Sequence, residues 1–200
     1  NNPDSPPYAL ALLNAAVRQG GHEAHVFDLN IALYQRAKAE NSSNAWSTGH
    51  SQESPIEYWV NEDFVNEALA GHRQFIDRYV DEILEVQAPV IGFSIHTSSY
   101  RASVQVARLV KEKDPDRQVI FGGPYCFLNH EGDQLLAKHD FLDMVCFLEA
   151  ERSFPELLGR MERGDDYYEM HGFGFRLPDG GIRNNVIDTI HRKEPPGTFI

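Results

Sequence analysis

Apolar and polar residues follow patterns along the chain that change from helical to strand-like and back. Residues 10–17 carry apolar side chains at helical spacing, and two glycines then stop the pattern. Residues 24–29 favour a short strand, because residues with high β-propensity lie at its centre. In a fold of alternating strands and helices, a strand precedes such a helix. The sequence begins almost at the helix, so we expect that first strand to be truncated.

A polar stretch and a long amphipathic stretch come next. Residues 41–55 show no periodicity, which predicts a surface loop inserted between elements. Residues 62–86 keep a helical period, which predicts one long helix or two helices broken near Gly71. We expect this amphipathic stretch to cover one face of a sheet.

Three apolar runs are typical of strands buried on both faces, at residues 89–95, 118–121 and 142–147. The helical segments that separate or follow them span residues 100–113, 132–138 and 153–161. Such alternation predicts parallel strands joined by right-handed crossovers, with helices on both faces. The predicted fold is a doubly wound α/β domain with a mainly parallel sheet, in a flavodoxin-like or Rossmann-like order.

The end of the chain has a different character. A Pro-Asp-Gly-Gly turn separates two β-prone runs at residues 172–175 and 182–186, which predicts a β-hairpin. Residues 192–197 are polar and proline-rich, as in an extended linker. We therefore divide the chain into an α/β domain at residues 1–165 and a hairpin with linker at residues 166–200.

Composition and charge narrow the possible partners. The chain has 200 residues, 42% of them hydrophobic, which suffices for one soluble core. Its formal net charge of -12 disfavours binding to nucleic acid or to an anionic membrane surface. The sequence has no apolar stretch near the ~20 residues of a membrane span and no signal-peptide pattern, so we predict a cytoplasmic protein.

The residues that commonly bind metals are scattered. Cys126 and Cys146 are the only cysteines, too few for the three ligands of an iron–sulfur cluster. The nine histidines show no ligand spacing. We predict no metal site made by protein side chains alone and no catalytic residue in this chain.

A candidate binding site follows from the predicted topology, because ligands of open parallel sheets bind outside the carboxyl ends of the strands. Gly122 and Gly123 follow a buried strand and either let a ligand approach the backbone or simply form a tight turn. Ser94 and Thr97, with their serine neighbours, either donate hydrogen bonds to a ligand or cap the next helix.

Three other polar residues belong to the same predicted edge. His96 lies at a carboxyl strand end, where a structural or exposed role is favoured over metal ligation. Glu149 and Glu151 stand two residues apart on a segment that we expect to be extended, so their side chains would point to opposite faces. Hydrogen bonding at a loop is therefore favoured over a shared acid–base role.

The order of these segments resembles the N-terminal cobalamin-binding domain of cobalamin-dependent radical S-adenosylmethionine enzymes. Within that family, the terminal hairpin resembles the branch of magnesium-protoporphyrin ester cyclases and several methyltransferases. The resemblance covers nearly the whole chain, although Leu148 and Ala150 stand where the family has glycines. The matching segments are residues 6–10, 20–23, 28, 91–94, 107–115, 119–124, 148–151, 154–158, 175–182 and 195–196.

The resemblance implies a corrin ring over the carboxyl edge of the sheet, with its nucleotide tail near Ser94 and Gly122. It also implies no protein histidine ligand to cobalt, because Pro6 occupies the place of the histidine in methionine-synthase-type carriers. The cofactor-binding residues that we expect are Asp4, Ser5, Pro6, Ser94, His96, Thr97, Gly122, Gly123, Pro124, Glu149 and Glu151.

The function implied is that of a cobalamin-binding module in a methyltransferase or cyclase, which binds but does not catalyse in isolation. S-adenosylmethionine and a 4Fe-4S cluster would belong to a C-terminal radical domain outside these residues, and that domain would be the partner of this one. The alternative is a cofactor-free α/β interaction or regulatory domain. A receiver domain would need an acidic cluster and a lysine at strand ends, and these are not evident in the sequence.

Overall fold

The computed structural model describes residues 7–40, 56–127 and 132–185. The helices of this part are α1 (Tyr8–Gln19), α2 (Leu29–Ala39), α3 (Ile56–Val60), α4 (Glu62–Ala70), α5 (Arg73–Glu85), α6 (Tyr100–Lys113), α7 (Pro124–Phe127), α8 (Gly132–Lys138) and α9 (Ala150–Arg163). The strands are β1 (Val90–Ser94), β2 (Gln118–Gly122), β3 (Met144–Cys146), β4 (Phe173–Arg176) and β5 (Ile182–Asn184).

The five strands form one open, mixed sheet in the order β1-β2-β3-β4-β5. β1, β2 and β3 are parallel, and β4 and β5 are antiparallel to their neighbours. The predicted hairpin is confirmed, and it extends the sheet beside β3 instead of following it as a separate unit. The second half of the sheet is therefore antiparallel, which the alternating pattern of the first half did not indicate.

Helices cover both faces of the sheet. Val119 and Phe121 of β2 pack with buried residues of α5, α6 and α8, and we call this side the α6 face. Ile120 of β2 and Met144 of β3 pack instead with Leu157 of α9, and we call this side the α9 face. Because neighbouring residues of a strand point to opposite faces, each strand contributes to both halves of the core.

The apolar runs and helical periods predicted several elements well. β1 and β2 lie within one residue of their predicted bounds, and α6 and α8 begin and end where the pattern predicts. The amphipathic stretch forms two helices, and the break lies at Gly71 and His72. The strand expected at residues 142–147 is shorter, because only Met144–Cys146 pairs with β2 and β4.

The strand predicted at residues 24–29 is wrong. Residues 22–28 form no ladder with any described strand, and a strand exists only through such pairing. The Asp28 carboxylate accepts a hydrogen bond from the Ile31 N–H at 2.9 Å and caps α2, which begins at Leu29. The sequence pattern did not predict α2, although Leu29, Leu33 and Ala37 lie at helical spacing.

The inserted loop predicted at residues 41–55 and the linker at residues 192–197 lie outside the described residues. Of the helices that are described, none combines the length and the apolar character needed to cross a membrane.

Candidate functional site

The carboxyl ends of β1, β2 and β3 lie side by side and bring together two of the predicted site residues. Ser94 is the register partner of Gly122, and both belong to the α9 face. A Cβ added to Gly122 would lie 3.5 Å from Cys146 Cβ on β3. The α9 face therefore ends in a row of three small residues, Ser94, Gly122 and Cys146, which we call the small-residue row.

The second glycine of the pair has a structural role. Gly123 has a φ of +96°, and an added Cβ would lie 2.8 Å from Ile95 O. The Ile95 N–H donates to Gly122 O at 2.7 Å, and the Tyr125 N–H donates to Ile95 O at 3.2 Å. The backbone of the loop after β1, at Ile95, thus lies close to Gly123. A ligand contact at Gly123 stays a prediction.

The loop after β1 is closed by a turn between His96 and Ser99. Ser99 Oγ accepts a hydrogen bond from the His96 N–H at 2.9 Å. Ser99 occupies the N-cap position of α6, but its hydroxyl does not accept from the first turn of that helix. This serine therefore stabilises the loop, while Thr97 is exposed and His96 half-buried at the rim.

An aromatic contact that the sequence did not indicate joins the loops after β1 and β2. The rings of Tyr100 and Tyr125 stack with centroids 4.3 Å apart. The Tyr100 hydroxyl lies 2.8 Å from His139 Nε2, so α6, α7 and the end of α8 are held together. No periodic signal predicts this cluster, because its members lie 14 to 39 residues apart.

The surroundings of His139 disfavour the charged form of its ring. Burial lowers its pKa below the usual 6.5, and the positive charges of Arg108 and Lys138 act in the same direction, against a smaller opposite effect of Asp140. Among the described residues, His139 Nδ1 is buried with no hydrogen-bond partner. A neutral ring is therefore favoured at physiological pH.

The loop after β3 differs from expectation. Glu149 and Glu151 do not share an extended segment, because α9 begins at Ala150, three residues before the predicted start. Glu149 is exposed at the N-cap position, and Glu151 is half-buried in the first helical turn. Carboxylates there interact favourably with the N-terminal end of the helix dipole, so this placement has a structural explanation.

Leu148, which stands in place of a family glycine, packs against the turn that leads into β4. A Cβ added to Gly172, whose φ is +83°, would lie 2.9 Å from Leu148 Cδ1. The Phe147 N–H donates to Gly172 O at 2.8 Å and fixes this contact. The side chain of Leu148 is 41% exposed and rests on Gly172 at the rim of the sheet.

The two cysteines are protonated thiols. Burial raises the pKa of Cys126 to about 12 and that of Cys146 to about 11. Cys146 Sγ donates to Leu148 O at 3.3 Å. Across residues 7–40, 56–127 and 132–185, no three or more histidine, cysteine or acidic side chains are grouped so that they would hold a metal ion.

The predicted site residues thus fall into three groups. Ser94, Gly122 and Gly123 lie together at the carboxyl edge, with Pro124 at the start of α7. His96, Thr97, Glu149 and Glu151 lie in the loops and the helix start that follow β1 and β3. Asp4, Ser5 and Pro6 are outside the described residues.

Comparisons with known proteins found two curated relatives, each similar to part of this chain. No protein-family profile matches the sequence. The chain is 30% identical over 128 residues to 2-(S-pantetheinyl)-carbapenam-3-carboxylate methyltransferase of Streptantibioticus cattleyicolor, covering 60% of this chain and 18% of that protein. It is 32% identical over 92 residues to the cobalamin-dependent radical SAM methyltransferase TokK of Streptomyces tokunonensis, covering 46% of this chain and 13% of TokK.

Among solved structures, part of this chain is similar to that of the cobalamin-dependent S-adenosylmethionine radical enzyme OxsB with aqua-cobalamin and S-adenosylmethionine bound. The identity is 18% and the TM-score 0.46, over 56% of this chain and 15% of OxsB. None of these three proteins is named as a magnesium-protoporphyrin cyclase. The chain spans less than a fifth of the length of the curated relatives it matches, and both of those relatives are methyltransferases by name.

Proposed function

We propose that this chain is the cobalamin-binding module of a cobalamin-dependent radical S-adenosylmethionine methyltransferase. The observation that carries the proposal is the small-residue row, Ser94, Gly122 and Cys146, at the carboxyl edge of three parallel strands. The similarity to TokK supports the choice of cofactor, and the names of both curated relatives support methyl transfer over cyclisation.

The topology supports a ligand at this edge. Helices on both faces of the sheet and parallel pairing from β1 to β3 agree with a doubly wound, Rossmann-like arrangement. In such sheets the loops at the carboxyl ends of the strands form the binding crevice. The loops after β1, β2 and β3 are the ones that would hold the cofactor here.

The residues at this edge fit a flat macrocycle with a trailing nucleotide arm. Ser94 and Gly122 place only small side chains at the end of the α9 face, where the arm would enter, and the buried Cys146 and Phe173 follow them across the sheet. Phe127 is 66% exposed and Leu148 41% exposed, and both follow the ends of neighbouring strands, where they offer apolar contact to a ring. Leu148 also contacts the turn before β4, since a Cβ added to Gly172 would lie 2.9 Å from Leu148 Cδ1.

In this proposal the chain binds and orients the cofactor and does not itself catalyse. Cobalamin would supply methyl-carrying chemistry, without a protein histidine on cobalt, because Pro6 stands where carriers of the other type have histidine. S-adenosylmethionine, a 4Fe-4S cluster and the methyl acceptor would bind in a C-terminal radical domain. The residues that select the substrate would lie in that domain, outside this chain.

Titration with hydroxocobalamin tests the proposal. We expect saturable binding to the chain, with a change in the visible spectrum of the corrin and a rise in Tm. Gly122→Leu places a branched side chain in the small-residue row and should weaken binding by about tenfold or more. Gly71→Leu, at the end of α4, is the matched control and should bind as the unchanged chain does.

Two results would contradict the proposal. A folded chain that shows no saturable binding would favour a cofactor-free interaction domain instead. Equal weakening by Gly122→Leu and Gly71→Leu would mean that the cofactor does not bind at the small-residue row.

A further inference from the structure

Asn185, the residue after β5, binds the segment that leads from α9 into β4. Its side-chain amide nitrogen donates to two backbone carbonyls, Tyr168 O at 2.6 Å and Met170 O at 3.2 Å. Both carbonyls belong to residues 168–172, which form no helix or strand and which we call the β4 entry turn. Because each bond restrains a different peptide of the turn, this one amide fixes the shape of the turn.

The backbone of Asn185 holds the same segment. Its N–H donates to Phe173 O at 2.8 Å, and its carbonyl oxygen accepts from the Gly172 N–H at 2.9 Å. His171 Nδ1 lies 3.0 Å from that oxygen. The β4 entry turn is therefore bound to Asn185 through side chain and backbone together, and Asn185 is half-buried.

An amide suits this position because the groups that face its nitrogen only accept. Tyr168 O and Met170 O have no hydrogen to donate, so a carboxylate in place of the amide would repel both. Met170 is also buried in the core of the α9 face. Losing the amide donor should therefore loosen the turn instead of leaving its shape unchanged.

The β4 entry turn reaches the candidate site through the loop after β3. Gly172 O accepts from the Phe147 N–H at 2.8 Å, so the turn is bonded to the residue before Leu148. The leucine side chain also contacts the turn, since its Cδ1 lies 2.9 Å from the position of a Cβ added to Gly172. A continuous series of contacts thus joins Asn185 to the carboxyl edge of the sheet.

We propose that Asn185 is a positioning residue of the cofactor-binding edge, because it holds the β4 entry turn in the conformation that supports Leu148. The inference rests on the proposed function, since it assigns Asn185 a role in cobalamin binding. Without the amide bonds the turn changes shape and Leu148 loses its contact with Gly172. A branched side chain that is already 41% exposed at the rim then moves into the space that the cofactor needs.

Hydroxocobalamin titration of the full chain tests the inference with Asn185→Asp. This near-isosteric change replaces the amide donor by a carboxylate oxygen, so binding should weaken by about fivefold or more. Asn61→Asp is the matched control, because the Asn61 side chain caps α4 as an acceptor, from the Phe64 N–H at 3.0 Å, and aspartate accepts equally well. This control should bind as the unchanged chain does.

Asn185→Ala is a second variant that removes the donor without adding a charge. It should weaken binding as Asn185→Asp does. Circular dichroism shows whether each variant is folded, so a loss of binding through unfolding is recognised. A folded Asn185→Ala chain that binds as the unchanged chain does would overturn the inference.

A double variant separates positioning from a general loss of stability. Leu148→Gly in the Asn185→Asp chain removes the side chain that would be displaced, so affinity should return to within about threefold of that of the unchanged chain. A residue that acted only through overall stability would not be compensated in this way, because Leu148→Gly adds no stabilising contact. A double variant as weak as Asn185→Asp alone would therefore contradict the positioning role.

Amide hydrogen exchange without cobalamin supplies an independent readout. The amides of Gly172 and Phe147, which lie between Asn185 and Leu148, should exchange about tenfold faster in Asn185→Asp than in the unchanged chain. The Ile95 amide, which donates to Gly122 O, should exchange at the same rate in both. Unchanged exchange at Gly172 and Phe147 would show that Asn185 does not fix the turn.

The titrations also distinguish failure of this inference from failure of the proposed function. If the unchanged chain does not bind hydroxocobalamin, the proposed function is wrong and the inference is wrong with it. If the unchanged chain binds and Asn185→Asp binds equally well, the proposed function stands and the inference alone is overturned.

Discussion

Lys111 Nζ of α6 lies 2.9 Å from Asp143 Oδ2, in the residue before β3, and the two side chains are only 15% and 19% exposed. The same carboxylate accepts a hydrogen bond from the Val119 N–H of β2 at 2.7 Å. Asp143 therefore joins a helix of the α6 face to two strands at the amino edge of the sheet, opposite the candidate site.

This relationship predicts a large loss of stability in Asp143→Ala. The substitution leaves the buried Val119 N–H without its acceptor and removes the carboxylate partner of Lys111, which keeps only its hydrogen bond to Pro115 O. This should lower the free energy of unfolding by about 2–4 kcal/mol. Urea denaturation followed by circular dichroism measures the change. Asp165→Ala, which removes the exposed ion pair with Arg163, is the control and should cost less than about 1 kcal/mol.

A second prediction separates backbone strain from steric contact at Gly123. Gly123 and Gly180 both have positive φ values, +96° and +84°, but an added Cβ meets nothing within 4 Å at Gly180. Gly180→Ala should therefore lose about 1 kcal/mol from strain alone. Gly123→Ala should lose more, about 2–4 kcal/mol, because the Cβ also collides with the Ile95 backbone. Equal losses in urea denaturation would mean that the loop after β1 moves away without cost.

A third prediction concerns pH. Burial, with smaller electrostatic effects, lowers the pKa values of His139 and His72 in the folded chain. Below pH ~6.5 the unfolded chain binds protons at these rings while the folded chain does not, so stability falls as the pH drops from there toward the lowered pKa values. Urea denaturation at pH 7.5, 6.0 and 5.0 should show this decline.

His139→Gln should make the decline shallower, because one of the two titrating rings is gone. The Tyr100→Phe variant keeps His139 but removes the hydroxyl that contacts Nε2. It should keep the slope with pH while lowering stability at every pH. An unchanged slope in His139→Gln would show that this ring does not contribute to the pH dependence.

The sequence predicted the elements whose signals are local. β1 and β2 are uncharged runs, and α6 keeps a helical period along its whole length. Both patterns reflect how each segment is itself buried. Residues 24–29 also contain residues of high β-propensity, but residues 22–28 pair with no described strand. Whether a partner strand is present cannot be read from the sequence of the segment itself. In the sequence Asp28 looks like the exit of a strand, but it is the N-cap of α2, because the same residue types end strands and start helices.

The candidate site was predictable only in part for a related reason. Ser94 and Gly122 could be placed together because parallel strands end at one edge. The stack of Tyr100 on Tyr125, and the contact of Leu148 with Gly172, depend on how distant loops pack, which neither spacing nor composition reveals. The Leu148 contact matters most, because it determines whether the leucine obstructs the site.

The last prediction tests that point through a double-mutant cycle at Leu148 and Gly172. If Leu148 rests on Gly172, Leu148→Gly should change hydroxocobalamin affinity by less than about threefold. Gly172→Ala should weaken binding by about tenfold, because the new Cβ displaces the leucine side chain toward the carboxyl edge. The double variant should recover most of the lost affinity, since the displaced side chain is absent while the backbone strain at φ +83° is unchanged. If the double variant binds as weakly as Gly172→Ala, strain in the turn causes the loss of affinity. If Leu148→Gly alone strengthens binding tenfold, the leucine obstructs the site in the unchanged chain.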